Sequence, residues 1–276
     1  MTVTLELFAA GYCTHVEAAV LTGGSLRQVK FPSLVGVIRH PRHGVILFDT
    51  GYTRRFFAET EAFPARIYRE TTPVYYRDEE GVATQLRLRG IDPAEVRLVL
   101  LSHFHADHVA GCRDLPNARF VCYELAWRQL RDLTGFAALK QAFLPGLLPP
   151  DFEARVQAVE ALRLVELPER LRPFEVGADL LGDGSVVVVP LPGHAPGHYG
   201  VVVATEPAPT FLVADACWLS RSYRELLFPS PLAYLIFEDA NAYRDSLTRL
   251  HQLHKASPQV AILPSHCPEV WAAYAP

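Results

Sequence analysis

The sequence predicts a mixed α/β (α+β) fold in which two groups of short buried strands are separated and flanked by helices. Three observations carry that expectation. Apolar runs of strand length, rich in β-branched residues or leucine, recur at residues 45–48, 96–101, 186–189, 211–214 and 260–264. Segments of helical spacing lie between them, the clearest being 240–254, where Leu247, Leu250, Leu253 and His254 fall on one face. Four of the runs end at residues able to grip a metal, so one rim of the strands collects the chemistry.

In chain order, residues 3–8, 34–39 and 45–48 read as strands, and His43-Gly44 marks a hairpin turn between the last two. Residues 84–89 read as a helix before the strand at 96–101. A helical insertion is expected at about 123–160, with helices at 124–133, 136–143 and 151–159 broken by Pro145-Gly146 and Pro149-Pro150. Strands return at 186–189, then 199–204 and 210–214 as an antiparallel pair, before the helix at 240–254 and the last strand. No internal repeat, low-complexity tract or linker interrupts this order. The 276 residues are therefore expected to form a single domain, a size two-sheet and barrel folds reach as one unit.

Half the residues are apolar, enough for a sizeable core. The net charge of −4 and the lack of a Lys/Arg-rich run argue against nucleic acid as a partner. The first residues lack the basic start and long apolar core of a signal peptide. No apolar run approaches the roughly 20 residues that span a bilayer, so no membrane association is expected. The five cysteines, Cys13, Cys112, Cys122, Cys217 and Cys267, are odd in number and form no CxxC pair. That usage fits reduced thiols and a cytoplasmic location. Cys217 and Cys267 stand beside candidate ligands but read as small buried fillers.

The stretch Ser102-His103-Phe104-His105-Ala106-Asp107-His108 places four metal-ligating side chains within six residues. In an extended segment alternate residues project to one side, so His103 and His105 can grip one ion together. Asp107 and His108 come where the chain turns into a helix and can serve a second ion. Imidazole and carboxylate suit zinc, manganese, iron or cobalt. The other runs deliver His194 in Pro192-Gly193-His194-Ala195-Pro196-Gly197-His198, Asp215 directly after 211–214, and His266 after Ser265.

The order His103-x-His105-x-Asp107-His108, His194, Asp215, His266, with Asp49 ending an earlier strand, resembles the metallo-β-lactamase superfamily. The resemblance covers roughly residues 35–266, and within the superfamily it is most similar to the N-acyl-homoserine lactonases. It implies a four-layer αββα sandwich and two divalent metal ions, zinc first among them. His103, His105 and His194 would hold one ion and Asp107, His108 and His266 the other, with Asp215 bridging. Asp49 would orient a ligand histidine by hydrogen bonding. The activity implied is hydrolysis, a hydroxide shared by the two ions attacking a carbonyl, with lactone ring opening the leading substrate. Asp107 is the candidate catalytic acid, either as ligand and proton donor or as ligand alone; a further reading makes it a helix N-cap.

Similar lactonases carry a tyrosine three residues after the bridging aspartate. This chain has Trp218 there, which can donate through its indole N–H but lacks a phenolic oxygen. Tyr223 is the second candidate for contact with substrate. Three other readings compete: a thioester hydrolase of glyoxalase II type, a phosphodiesterase, and a metal-dependent sensor or binding module. The first usually carries a C-terminal substrate domain, whereas here ten residues follow His266.

The apolar stretch with Phe136, Phe143, Leu144, Leu147 and Leu148 is read as plain helix packing, a homodimer contact or a lid over an acyl chain. Trp218, Tyr223, Phe228 and Tyr234 would then supply the opposite wall or the core. The remaining histidines have structural readings. His40 and His43 are expected in solvent at the hairpin turn, His251 and His254 on a helix, His15 alone near the start and His198 as a satisfied structural group.

Overall fold

A computed structural model describes residues 3–275. Seven strands make the first sheet: β1 (Thr4–Val16), β2 (Gln28–His40), β3 (Gly44–Phe48), β4 (Val74–Tyr75), β5 (Leu98–Leu100), β6 (Arg119–Cys122) and β7 (Val156–Ala158). Their spatial order is β4-β1-β2-β3-β5-β6-β7. The second sheet has six: β8 (Arg163–Glu166), β9 (Val176–Asp179), β10 (Val186–Pro190), β11 (Tyr199–Val203), β12 (Thr210–Ala214) and β13 (Ala261–Pro264), ordered β13-β12-β11-β10-β9-β8.

Strict alternation along the strands builds the layers. Val186 and Val188 point between the sheets with Ile38, Ile46, Phe48, Leu100, Leu212 and Leu263. Val187 and Val189 point the other way and pack with Leu247, Leu250 and Leu253 of the helix Ala240–Ala256. On the far side of the first sheet, Val35, Leu47 and Val99 pack with Phe56, Leu86 and Phe143. Helices thus cover both outer faces, giving the expected αββα arrangement. Each fully buried valine or leucine contributes about 1.5–3 kcal/mol, so a polar residue at Val188 would strike the centre of the sandwich.

Strand direction gathers the site. β3 and β5 are parallel with Phe48 opposite Leu100, and β12 and β13 are parallel with Leu212 opposite Leu263. β10 is two antiparallel steps from β12 and so runs with it. Asp49, at φ 60°, and Ala214, at φ 45°, take left-handed backbone at the ends of β3 and β12. Such non-glycine positions cost about 1–3 kcal/mol and are found where surrounding structure enforces them, often beside functional groups.

Several local expectations are corrected. Residues 151–159 are not a helix: a 3₁₀ turn at Glu153–Arg155 leads into β7, which pairs in parallel with β6 and completes the sheet edge. The other two helices of the stretch are shorter, Glu124–Leu130 and Gly135–Lys140. Phe143, Leu144, Leu147 and Leu148 are core, whereas Phe136 is exposed and meets Phe63 edge-on. β4, β6, β8 and β9 had no counterpart among the expected strands, being short or carrying charge in β8 as Arg163 and Glu166. His40 is buried rather than solvated, because its Nε2 meets Asp183 Oδ2 at 3.2 Å across 143 residues of chain. Among the described residues no helix is long and apolar enough to cross a membrane.

Candidate metal centre

The chain leaves β5 at Ser102 and enters the short helix Ala106–Val109, so His103 and His105 precede the helix and Asp107 and His108 sit in its first turn. The N-cap position is held by His105, not Asp107, which removes the N-cap reading of Asp107. Gly193 lets His194 in: it has φ 120°, and a Cβ there would lie 2.0 Å from the Tyr243 nitrogen. Asp215 follows β12 and His266 follows β13.

Two trios result. Nitrogen donors of His103, His105 and His194 converge with an Asp215 oxygen, and Asp107, His108 and His266 form a second group. Asp215 faces both. Its Oδ2 lies 3.2 Å from His194 Nε2, while its Oδ1 lies 3.0 Å from His266 Nε2 and 3.4 Å from His108 Nε2. Asp107 Oδ2 is 3.2 Å from His266 Nε2.

Neighbouring groups fix which atoms face inward. Asp49 Oδ2 accepts from His108 Nδ1 at 2.7 Å, and both Asp49 oxygens also accept from Ser102, at its N–H and its hydroxyl. His266 Nδ1 donates to the Pro32 carbonyl at 2.6 Å. Both rings therefore turn Nε2 to the cluster in the metal-binding tautomer. Ser33 holds the Asp107 carbonyl at 2.6 Å. His198 donates from Nδ1 to the Leu191 carbonyl and accepts the Asp215 N–H at Nε2, so it pins the backbone of Asp215.

Buried atoms without partners provide a test of fit. Among the described residues, His103 Nε2, His108 Nε2 and Asp215 Oδ1 have no hydrogen-bond partner. A buried polar group left unmade costs about 1–3 kcal/mol. Three such atoms aimed into one cluster of imidazoles and carboxylates are what two divalent cations would satisfy. Burial, reinforced by the neighbouring imidazoles, holds His103 well below the usual histidine range, and burial does the same to His194. Burial lowers His105 to about 4. Burial opposes charge on His108 and His266 too, but nearby carboxylates outweigh it and raise both. The first trio is therefore neutral and ready to coordinate.

A cavity of about 340 Å³ opens over the cluster. His105, Asp107, His194, Asp215 and His266 line it together with Val20, Phe31, Leu139, Ala142, Trp218 and Ile236.

Residues 29–256 match the sequence profile of the Metallo-beta-lactamase superfamily. The chain belongs to that superfamily. It is a hydrolase of that superfamily, in keeping with its relatives. An N-acyl homoserine lactonase AttM of Azorhizobium caulinodans is 26% identical over 257 residues, covering 91% of this chain and 88% of the relative. An N-acyl homoserine lactonase AiiB of Agrobacterium fabrum is 27% identical over 235 residues, covering 83% and 77%. A solved N-acyl homoserine lactone hydrolase, with N-hexanoyl-L-homoserine at its catalytic metal center, superposes with TM-score 0.75. It covers 99% of this chain and 97% of its own at 18% identity, a likeness of fold.

Within this metallo-β-lactamase fold the structure brings together His103, His105, Asp107, His108, His194, Asp215 and His266, with Asp49 directly behind His108. Trp218 lines the cavity, and its indole N–H donates to Asp215 Oδ2 at 2.9 Å. Tyr223 does not reach in. It is buried, and its hydroxyl donates to the Ile262 carbonyl at 3.1 Å, because the helix Ser220–Glu225 turns it toward β13. Cys217 and Cys267 are buried free thiols that do not line the cavity. Sequence reading missed Ser102, Ser33 and the Pro32 carbonyl as supports. Only Ser102, adjacent to His103 at a strand end, carried a local signal.

Proposed function

We propose that this protein opens lactone rings, with N-acyl-homoserine lactones as the leading substrate class. The observation that carries the reading is the cavity, whose floor is His105, Asp107, His194, Asp215 and His266 and whose walls include Val20, Phe31, Leu139 and Ile236. A polar ester can sit on the floor while an acyl chain lies against the walls. The names of the relatives support the same substrate class.

His103, His105 and His194 would hold one divalent ion, Asp107, His108 and His266 the second, and Asp215 would join both through its two oxygens. Zinc suits this set, and manganese, iron and cobalt share its ligand preferences. When bound, two such ions supply Lewis acidity and lower the pKa of a water from about 15.7 toward neutrality. The protein's own groups set the geometry of the step. Asp49 keeps the His108 proton on Nδ1, and His198 keeps Asp215 in register. Asp107, which lines the cavity, would take a proton from the attacking water and pass it to the leaving ring oxygen. The apolar walls exclude bulk water and position the chain.

The test is proton release by zinc- or manganese-loaded protein given short- and long-chain N-acyl-homoserine lactones. Chelator-sensitive ring opening, faster with the longer chain, is the expected result. No release from protein carrying two metal ions would remove the lactone substrate and leave thioesters and phosphodiesters to be tried.

A further inference from the structure

Ring opening as proposed above develops charge on the ester oxygens, and a neutral donor beside them would lower that barrier. The donors that follow Asp215 in sequence, and the other phenol of the cavity lining, are engaged or buried. The Trp218 N–H is taken by Asp215 Oδ2 and the Tyr223 hydroxyl by the Ile262 carbonyl. Tyr52 also lines the cavity, but it is only 1% exposed, with its hydroxyl toward the Cys13 thiol.

One phenol is left. Tyr68 lies on the helix Arg66–Thr71, outside the strand ends that carry the metal-ligating set, and lines the cavity with Asp107 and His266. Phe56 braces its ring edge-on, at 5.5 Å between centroids and 87° between planes. The Thr71 hydroxyl donates to the Tyr68 carbonyl at 3.2 Å, holding the helix turn that carries it. Among the described residues no side chain accepts its hydroxyl proton, and the Ala106 amide faces the phenol oxygen. A phenol carries its proton at neutral pH and so can donate.

We infer that Tyr68 donates a hydrogen bond to the scissile ester of the bound lactone, beside Asp107, and so takes the part that Trp218 cannot. The inference rests on the lactone reading. A phenol from a helix rather than from the segment after the bridging aspartate also gives the floor a different shape. It places the donor on the Asp107 side of the cavity and leaves the Trp218 side apolar.

Tyr68→Phe removes one oxygen and keeps the ring against Phe56. With both metals loaded, kcat on a short-chain N-acyl-homoserine lactone should fall about 10²-fold, the scale of losing one preorganised donor. KM should change less than about threefold, since a bond made mainly in the transition state acts on kcat. Bound metal and melting temperature should match the parent, which a purely structural tyrosine in contact with the cluster would not guarantee. Unchanged kcat in Tyr68→Phe, with the parent active, would overturn the role of Tyr68 and leave the lactone reading intact. A parent that holds two metals and opens no lactone would overturn both.

Discussion

Trp218 Nε1 donates to Asp215 Oδ2 at 2.9 Å, and the same oxygen lies 3.2 Å from His194 Nε2. Asp215 is thus held from two directions, by the indole at its carboxylate and by His198 at its backbone N–H. The indole ring also meets His194 and Phe237 nearly edge-on or tilted, at 5.9 and 5.5 Å. A tryptophan in this place restrains the carboxylate that faces both trios. A phenol there would instead be free to reach a substrate.

Trp218→Phe tests that restraint. The ring packing is largely kept, but Asp215 loses a donor. Removing a partner that orients a metal-binding group typically costs about 10–100-fold in metal affinity or activity. Competition with a graded chelator should show that weakening, with little change in melting temperature of the stripped protein. Parent-like metal affinity would mean the hydrogen bond is incidental.

Asp49→Asn probes the other support. The position is fully buried and at φ 60°, which asparagine tolerates, so backbone strain is not added. An amide leaves one acceptor oxygen for the three donors, His108 Nδ1 and the Ser102 N–H and hydroxyl, that the carboxylate now serves. The His108 tautomer is then no longer enforced. The expected outcome is loss of one of two bound metals, measured by elemental analysis, and activity lower by about 10–100-fold. Two metals with full turnover would show that Asp49 acts on stability alone.

Much of this site was legible because each functional group closes a buried strand. His103, His194, Asp215, His266 and Asp49 follow apolar runs whose length and composition mark them in one dimension. The groups that shape the cavity carry no such mark. Tyr68 sits on a six-residue helix, and Val20 and Phe31 come from segments far from any ligand. His40 looked like a turn residue because Asp183, its partner, is distant in sequence. β7 read as a helix because its edge pairing with β6 depends on a neighbour that local spacing does not reveal. Tyr223 was misplaced for a related reason: a one-residue rotation on the helix Ser220–Glu225 decides whether a side chain faces the cavity or β13.

Acid should unfold the metal-free protein earlier than its charge alone suggests. His105 and His198 are both lowered to about 4, chiefly by burial, and His103 and His194 lie below the usual range for the same leading reason. In the unfolded chain each takes a proton near pH 6.5. Between pH 6.5 and about 4 the unfolded state therefore binds more protons through these four, so stability falls as pH falls. His108 and His266 are raised and act in the opposite sense, their contribution present below pH 6.5 and lost above their folded values. Four groups outweigh two. The melting temperature of chelator-stripped protein should drop from pH 7 to pH 5, and a flat or rising profile would contradict the assignment. Loaded protein should release metal over the same range, because protons compete for the same nitrogens.

The cavity wall makes the last prediction. Leu139 lies on the helix Gly135–Lys140, half-buried, with its side chain at the cavity rather than in the core. Leu139→Trp adds bulk where an acyl chain would lie and leaves the floor of trios untouched. A short N-acyl-homoserine lactone needs only the floor, so its kcat/KM should change less than about threefold. A long-chain substrate must pass the new ring, and its kcat/KM should fall about tenfold or more, the scale of 1.4 kcal/mol lost in chain contacts. Because the position is partly exposed, the melting temperature should hold within a few degrees. Equal losses for both chain lengths would place the acyl group elsewhere, and a gain for the long chain would mean that it stacks on the added indole.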